Sequence, residues 1–417
     1  MTTAMLAPTI LDKAAWNSNH IEAVRYNPKT PVIMEMRPAF ASVEVASMAG
    51  VEPSSLLKSI PSCYVFEREV EILSTLVDAM GEVRFAIAGD PVAHSLSPLL
   101  LGLVHAHLLS LLGQKEVNLK IKSLDLVPST TIEGALAWGY AGAVPSAPEW
   151  EYTQAPFGKF RTTTLMQKAI DAGMAIEDSE ERFEPVDDQD FTFEAQDLDA
   201  HPQPTLPTGF FGAEIWVNLT SPLKHQLSSD AVSAIDASME NQCVNALRWD
   251  GQGWWCAGLD GAGAVALAQH FGITFDEAPV LSLCGGGGAA RSVAASWLDA
   301  GGAVHAANSR RTLPEDLLLR CTASANEAVF GLNFDSELNA ANAPIVVNAA
   351  YQPLTGDLDS MMASMIDGEL NGRWLLVAQH LACWKTLWAP HLEDFLPSID
   401  LLLTRLIHAE AHLHHYA

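Results

Sequence analysis

The chain has 417 residues, 49% of them hydrophobic, and carries 50 acidic against 23 basic side chains for a formal charge of −27. That balance excludes a non-specific nucleic-acid binder, which needs basic groups to meet phosphates; the length suits two or three domains, because single cores stop growing at roughly 250–300 residues. No apolar run of about 18 residues is free of charge, so no membrane span is expected, and Met1 to Lys13 lacks the basic start and apolar centre of a secretory signal.

Residues 1–81 carry no legible motif, although Glu67 to Met80 has helical spacing of apolar residues. A strand is expected over Val83 to Ala88, ending at Gly89-Asp90-Pro91, and a helix after Ser97-Pro98, with Pro in the first turn and Ser as the cap. Residues 126–208 combine proline, acidic clusters between Glu177 and Asp190, and little periodicity, which reads as an acidic surface insertion, partly loop. Glu214 to Val217 reads as a short strand, and Trp249, Trp254 and Trp255 flank the hairpin turn signal Asp250-Gly251-Gln252-Gly253. Val280 to Cys284 is an apolar run suited to a buried parallel strand; a helix over Ala289 to Ala300 and a strand over Ala303 to Ala307 follow. Strand and helix in alternation predict a parallel α/β sheet. Leu392 to His415 has helical spacing and ends in His408, His412, His414 and His415, read as a polar helix end, so no metal is expected. Six cysteines lie scattered without a C-x-x-C pair, as in a reduced cytoplasmic protein.

Two stretches carry chemistry on their own terms. Gly285-Gly286-Gly287-Gly288-Ala289-Ala290, between strand and helix, is close to G-x-G-x-x-G/A: small residues make the tight turn, backbone N–H groups approach a pyrophosphate, and the helix N-terminus stabilises its charge. The next strand runs into Asn308-Ser309-Arg310-Arg311-Thr312. An NAD site places an acid there for the ribose hydroxyl; paired guanidiniums suit a 2′-phosphate, which predicts NADP. Only ten residues are Lys, so a lysine within a motif is informative.

Further blocks complete a pattern. Gly89 to Pro98 (GDPVAHSLSP), Asn218 to Lys224 (NLTSPLK), Cys243 to Ala246 (CVNA), Gly258 to Gly263 (GLDGAG), the glycine turn through Arg291, and Leu375 to Gln379 (LLVAQ) stand in an order and spacing that resemble the shikimate/quinate dehydrogenase family. The resemblance covers roughly residues 82–125 and 209–417. It implies reversible NADPH-dependent reduction of 3-dehydroshikimate to shikimate in chorismate and aromatic amino-acid biosynthesis, with a small-molecule substrate, no nucleic-acid or membrane partner, and a monomer or homodimer. It implies an N-terminal α/β catalytic domain plus a reduced Rossmann-type NADP-binding domain. Their expected bounds are 1–81 as extension, 82–262 for substrate with the insertion, 263–372 for cofactor, and 373–417 packing back. Lys224 would stabilise or protonate the developing alkoxide and Asp260 would orient the lysine. Ser95 and Ser97 would bind the substrate carboxylate; Asn218, Thr220 and Asn245 its ring hydroxyls; Tyr351 and Gln379 would complete the pocket. Gly285, Gly286, Gly287, Gly288, Ala289, Asn308, Arg310 and Arg311 would hold NADP. A quinate-using dehydrogenase and a non-catalytic regulator that binds shikimate or quinate are the alternatives.

The departures concern packing and the cofactor. Leu101-Gly102 stand where the family has His-Asn. Asn348-Ala349-Ala350 and Tyr351-Gln352-Pro353-Leu354-Thr355 resemble two family segments that are normally farther apart. The tyrosine match has the better distance to Gln379, which leaves the cofactor domain about one βα unit short and its nicotinamide end unassigned.

Overall fold

The computed structural model describes residues 81–141, 163–176, 206, 209–210, 213–229, 231–251, 253–352, 354–366 and 370–415. The expected helix over Glu67 to Met80 and the acidic cluster from Glu177 to Asp190 lie outside them. Two sheets form. The first is six-stranded: β1 (Gly81–Gly89), β2 (Leu119–Pro128), β3 (Ala213–Leu219), β4 (Val232–Ala234), β5 (Ala246–Trp249) and β6 (Trp254–Ala257), in the order β2-β1-β3-β5-β6-β4. β1 pairs in parallel with β2 and β3, while β5 is antiparallel to both β3 and β6. The turn between β5 and β6 is the expected hairpin, closed by Asp250, whose Oδ1 accepts the Gly253 N–H at 2.8 Å and whose Oδ2 accepts the Trp255 indole N–H at 2.7 Å.

The second sheet is β7 (Val280–Cys284), β8 (Ala303–Ala307), β9 (Ala328–Asn333), β10 (Ile345–Asn348) and β11 (Leu370–Asn371), in the order β11-β10-β9-β7-β8, all pairs parallel. A dinucleotide fold of six strands runs 3-2-1-4-5-6. Among the described residues no strand pairs outside β8, and only a six-residue helix (Glu315–Arg320) and a 3₁₀ turn (Ala325–Glu327) separate β8 from β9. The shortening by one βα unit therefore falls at the β8 edge. The strand beside β7 is β9, which ends at Asn333; Asn348 ends the next strand out and accepts from Asn333 Nδ2 at 2.9 Å. Asn333-Phe334-Asp335 therefore stands at the end of the strand next to β7, while Asn348-Ala349-Ala350 and Tyr351 stand at the end of the next strand out.

Helices join the sheets. In chain order those the site uses are α1 (Ser97–Leu112), α2 (Ile132–Ala141), α3 (Thr163–Met174), α4 (Leu259–His270), α5 (Gly288–Asp299), α6 (Gly372–Cys383) and α7 (Ile399–His415). α1 begins with Pro98 in its first turn, but Ser97 is already helical and Leu96 is the cap; Ser95 Oγ accepts the Ser97 N–H at 3.2 Å instead. α4 crosses α5 where Gly261 meets Ser292, and α6 where Gly263 meets Gln379; a Cβ on either glycine would lie 2.3 Å and 2.7 Å from those backbones. α7 and α3 pack on α1, and one continuous apolar core runs from Phe85 and Leu103 through Val265 and Leu281 to Leu406.

Two described parts of 126–208 belong to the fold itself. Residues 126–128 complete β2, and α3 sits inside the core with Met166, Ala169 and Ile170 buried. Gly102 makes room for it: a Cβ there would lie 2.3 Å from Ile170 Cδ1. The Leu101-Gly102 departure is thus the seat of α3.

Candidate active site

The site is built where the C-terminal ends of β1 and β3 face the start of α4 and the glycine turn. Asp90 N–H donates to Ser221 O at 2.8 Å and Thr220 N–H to Ala88 O at 2.8 Å, tying the two strand ends together. Gly89, at φ +155°, allows the approach: a Cβ would meet Thr220 Cγ2 at 2.3 Å. A one-turn 3₁₀ helix, Leu223–His225, then points Lys224 toward α4.

Lys224 Nζ donates to Asp260 Oδ2 at 2.5 Å, and Asn245 Nδ2 donates to Asp260 Oδ1 at 3.1 Å. Asn245 Oδ1 accepts the Leu259 N–H at 2.6 Å. Both oxygens of the carboxylate are therefore engaged, and the side chains of Lys224 and Asp260 are 16% and 5% exposed, so the ammonium keeps the more open face. Asn218 is buried; its Nδ2 reaches Asn245 O at 3.4 Å and Cys383 Sγ at 3.8 Å, while its Oδ1 accepts nothing among the described residues. Gln379 lies one helical turn before Cys383 and so shares its face of α6. Tyr351 hydrogen-bonds with the backbone of Leu96, between Ser95 and Ser97, and burial pushes its hydroxyl up to about 12. Burial likewise raises the Cys243 thiol, beside Asp236 and Asp260, to about 12.

The glycine turn closes on this group. Gly285 has φ +146°, and a Cβ would strike Phe334 at 2.8 Å. A Cβ on Gly286 would lie 2.2 Å and 2.3 Å from the carbonyls of Thr312 and Arg311, so this glycine answers to the neighbouring loop. Gly288 carries the stem of Lys224, whose Cβ stands 2.7 Å from the position a Cβ on Gly288 would take. α5 starts with no side-chain cap and no acid in its first turn, which leaves its N–H dipoles directed at an incoming anion. Asn308 is exposed and its carbonyl accepts from Cys284 Sγ at 3.2 Å. Arg311 Nη1 stands 3.8 Å from the Cβ position of Gly287. These features fit a dinucleotide. Arg310 departs from the expectation, because its guanidinium is engaged by Asp335 and Glu337.

Sequence reasoning missed the residues that lock these parts together. Ser292 Oγ accepts the Gly261 N–H at 2.9 Å and donates to Gly258 O at 2.5 Å, fixing the first turn of α4 from α5. Arg291 donates from Nε to Gly286 O at 3.2 Å and from Nη1 to Gln242 Oε1 at 2.9 Å. Asp236 Oδ2 accepts the Gly258 N–H at 2.8 Å, and burial raises its pKa. Arg291 closes the glycine-turn block the sequence already singled out, though without this role, and Asp236 has a sequence signal as an Asp two residues before the Ser238 whose N–H it also accepts.

Over 85 residues, 20% of this chain, the sequence is 35% identical to the NADP(+) shikimate dehydrogenase of Methylibium petroleiphilum. Over that stretch the chain is similar to a shikimate dehydrogenase. It spans 29% of the length of that curated relative. No family model matches it. Among solved structures it is similar to the Thermus thermophilus shikimate 5-dehydrogenase in complex with NADP(H) and shikimate, at 21% identity and a TM-score of 0.43, covering 78% of this chain and 99% of that one. The Mycobacterium tuberculosis shikimate dehydrogenase gives 15% identity and a TM-score of 0.43, covering 78% and 98%. Among the described residues no helix is long and apolar enough to cross a membrane, and no group of three or more His, Cys, Asp or Glu could hold a metal.

Proposed function

We propose that the chain is a shikimate dehydrogenase, catalysing reversible NADPH-dependent reduction of 3-dehydroshikimate. The observation that carries the reading is the Asn245–Asp260–Lys224 chain packed directly on Gly288 of the glycine turn. When bound, the dinucleotide would supply a hydride to the ketone carbon. Lys224 Nζ would then hold or deliver a proton at the ketone oxygen. Asp260 aims the ammonium, and Asn245 prevents the carboxylate from turning. The unpartnered Oδ1 of Asn218 suits a ring hydroxyl as donor, and Ser95, Ser97, Thr220, Tyr351 and Gln379 complete the pocket. Neutral hydrogen-bonding groups of this kind reject analogues that lack a hydroxyl.

In this reading residues 82–262 hold the substrate, 263–372 the cofactor, and 373–417 return to the first sheet; the enzyme works in the cytoplasm as a monomer or homodimer. Absorbance at 340 nm tests it, with shikimate and NADP⁺ or NAD⁺ in turn. Shikimate-dependent NADP⁺ reduction is expected, falling roughly 10²–10⁴-fold in Lys224→Ala, the size of a lost general acid–base. No reduction of either cofactor with shikimate or quinate would overturn the reading.

A further inference from the structure

The sequence places two arginines at the end of β8, and the geometry separates them. Arg310 Nε donates to Asp335 Oδ1 at 2.9 Å and Oδ2 at 3.0 Å, its backbone N–H donates to Asp335 Oδ2 at 2.9 Å, and its Nη1 lies 2.5 Å from Glu337 Oε1. Asp335, just past the end of β9, is nearly buried, with 6% of its side chain exposed. Two carboxylates thus share one guanidinium, and a phosphate approaching it would meet like charge at contact distance.

Arg311 differs in each respect. It is exposed, forms no ion pair among the described residues, and its Nη1 lies over Gly287 in the glycine turn. Its main chain is fixed: Ser309 Oγ donates to Arg311 O at 2.7 Å, and the Arg311 and Thr312 carbonyls press on Gly286.

On the reading that this is an NADP site, we propose that Arg311 alone takes the 2′-phosphate, and that Arg310 with Asp335 is a strut fixing residues 308–312 against the glycine turn. Asp335 is then a positioning residue for cofactor choice: it acts through the loop that aims Arg311.

Calorimetric binding of adenosine 2′,5′-bisphosphate and of 5′-AMP tests this without turnover, the ratio of affinities reading the 2′-phosphate alone. Arg311→Gln lowers that ratio by about tenfold or more, the worth of one charge-assisted hydrogen bond. Arg310→Gln with Glu337→Gln leaves the net charge unchanged and an amide to hold Asp335; its ratio stays within about threefold of wild type. Asp335→Asn lowers the ratio, because Arg311 loses its aim, with folding checked by thermal melting. A ratio that Asp335→Asn leaves unchanged or raises overturns the strut, and a loss in the Arg310/Glu337 double variant equal to that in Arg311→Gln overturns the division of labour. If neither nucleotide binds wild type, the NADP reading itself fails and takes this proposal with it.

Discussion

Gly288 has two tasks at once: it opens α5, and it leaves space for the stem of Lys224. Gly288→Ala is therefore expected to displace Lys224 rather than unfold the helix, since Ala is the better helix former. A displacement near 1 Å costs about 10²-fold in turnover, so kcat should fall while the melting temperature holds; unchanged kcat would sink the idea. The glycine turn was legible because a dinucleotide demands small residues between strand and helix, whereas Lys224 and Asp260 stood out only through the family resemblance. Ser292 and Asp335 were not legible. A serine inside a helix and an aspartate after a strand are ordinary residues, and their roles exist only once two distant segments touch. Arg310 shows the converse: its type suited a phosphate, and a carboxylate 25 residues away, at Asp335, has already claimed it.

Elements with a strong apolar pattern were read to within a residue or two: β7 and β8 match their expected bounds, and the helix expected at Ala289 starts at Gly288. β2 escaped notice because it lies at a sheet edge, with one exposed and several half-buried positions through its middle. α3 escaped because an acidic stretch follows it, although its own residues Met166, Ala169 and Ile170 fall on one face and are buried. That helix is anchored rather than ornamental. Ile170→Ala is expected to cost about 2–5 kcal/mol, the usual range for truncating a buried isoleucine. Urea unfolding measures it, and a cost below about 0.5 kcal/mol, the size of a surface change, would mean that α3 is only draped on the core.

At the scale of the whole molecule, three buried arginines among the described residues connect segments far apart in sequence. Arg248 joins Glu214 to the carbonyls of Gly209 and Leu387; Arg373 grips Glu410 at 2.8 Å and 2.7 Å; Arg405 reaches Ile176 O and His107. Arg373→Met removes the guanidinium that grips a buried carboxyl group, and should destabilise by about 3–5 kcal/mol, read by urea unfolding. Acid should act through His380, which is fully buried against Phe85 and Trp388, burial holding its pKa down to about 3. The unfolded histidine titrates near 6.5, so the unfolded chain takes the proton first. This contribution is complete above about pH 6.5 and is lost as pH falls toward 3. His380→Phe should flatten the decline of Tm across that window; an unchanged slope would assign the decline to other groups, such as His105 and His391, whose pKa values burial also lowers.

The two sheets also supply one another's parts. Gly288, from the glycine turn, seats the lysine; Ser292, four residues on, fastens the first turn of the helix that carries Asp260. The halves are therefore poor candidates for exchange as modules. A foreign nucleotide-binding half grafted after α4 would restore turnover only if it brought a glycine and a serine at those two places; any other graft would bind its dinucleotide beside a disarmed lysine.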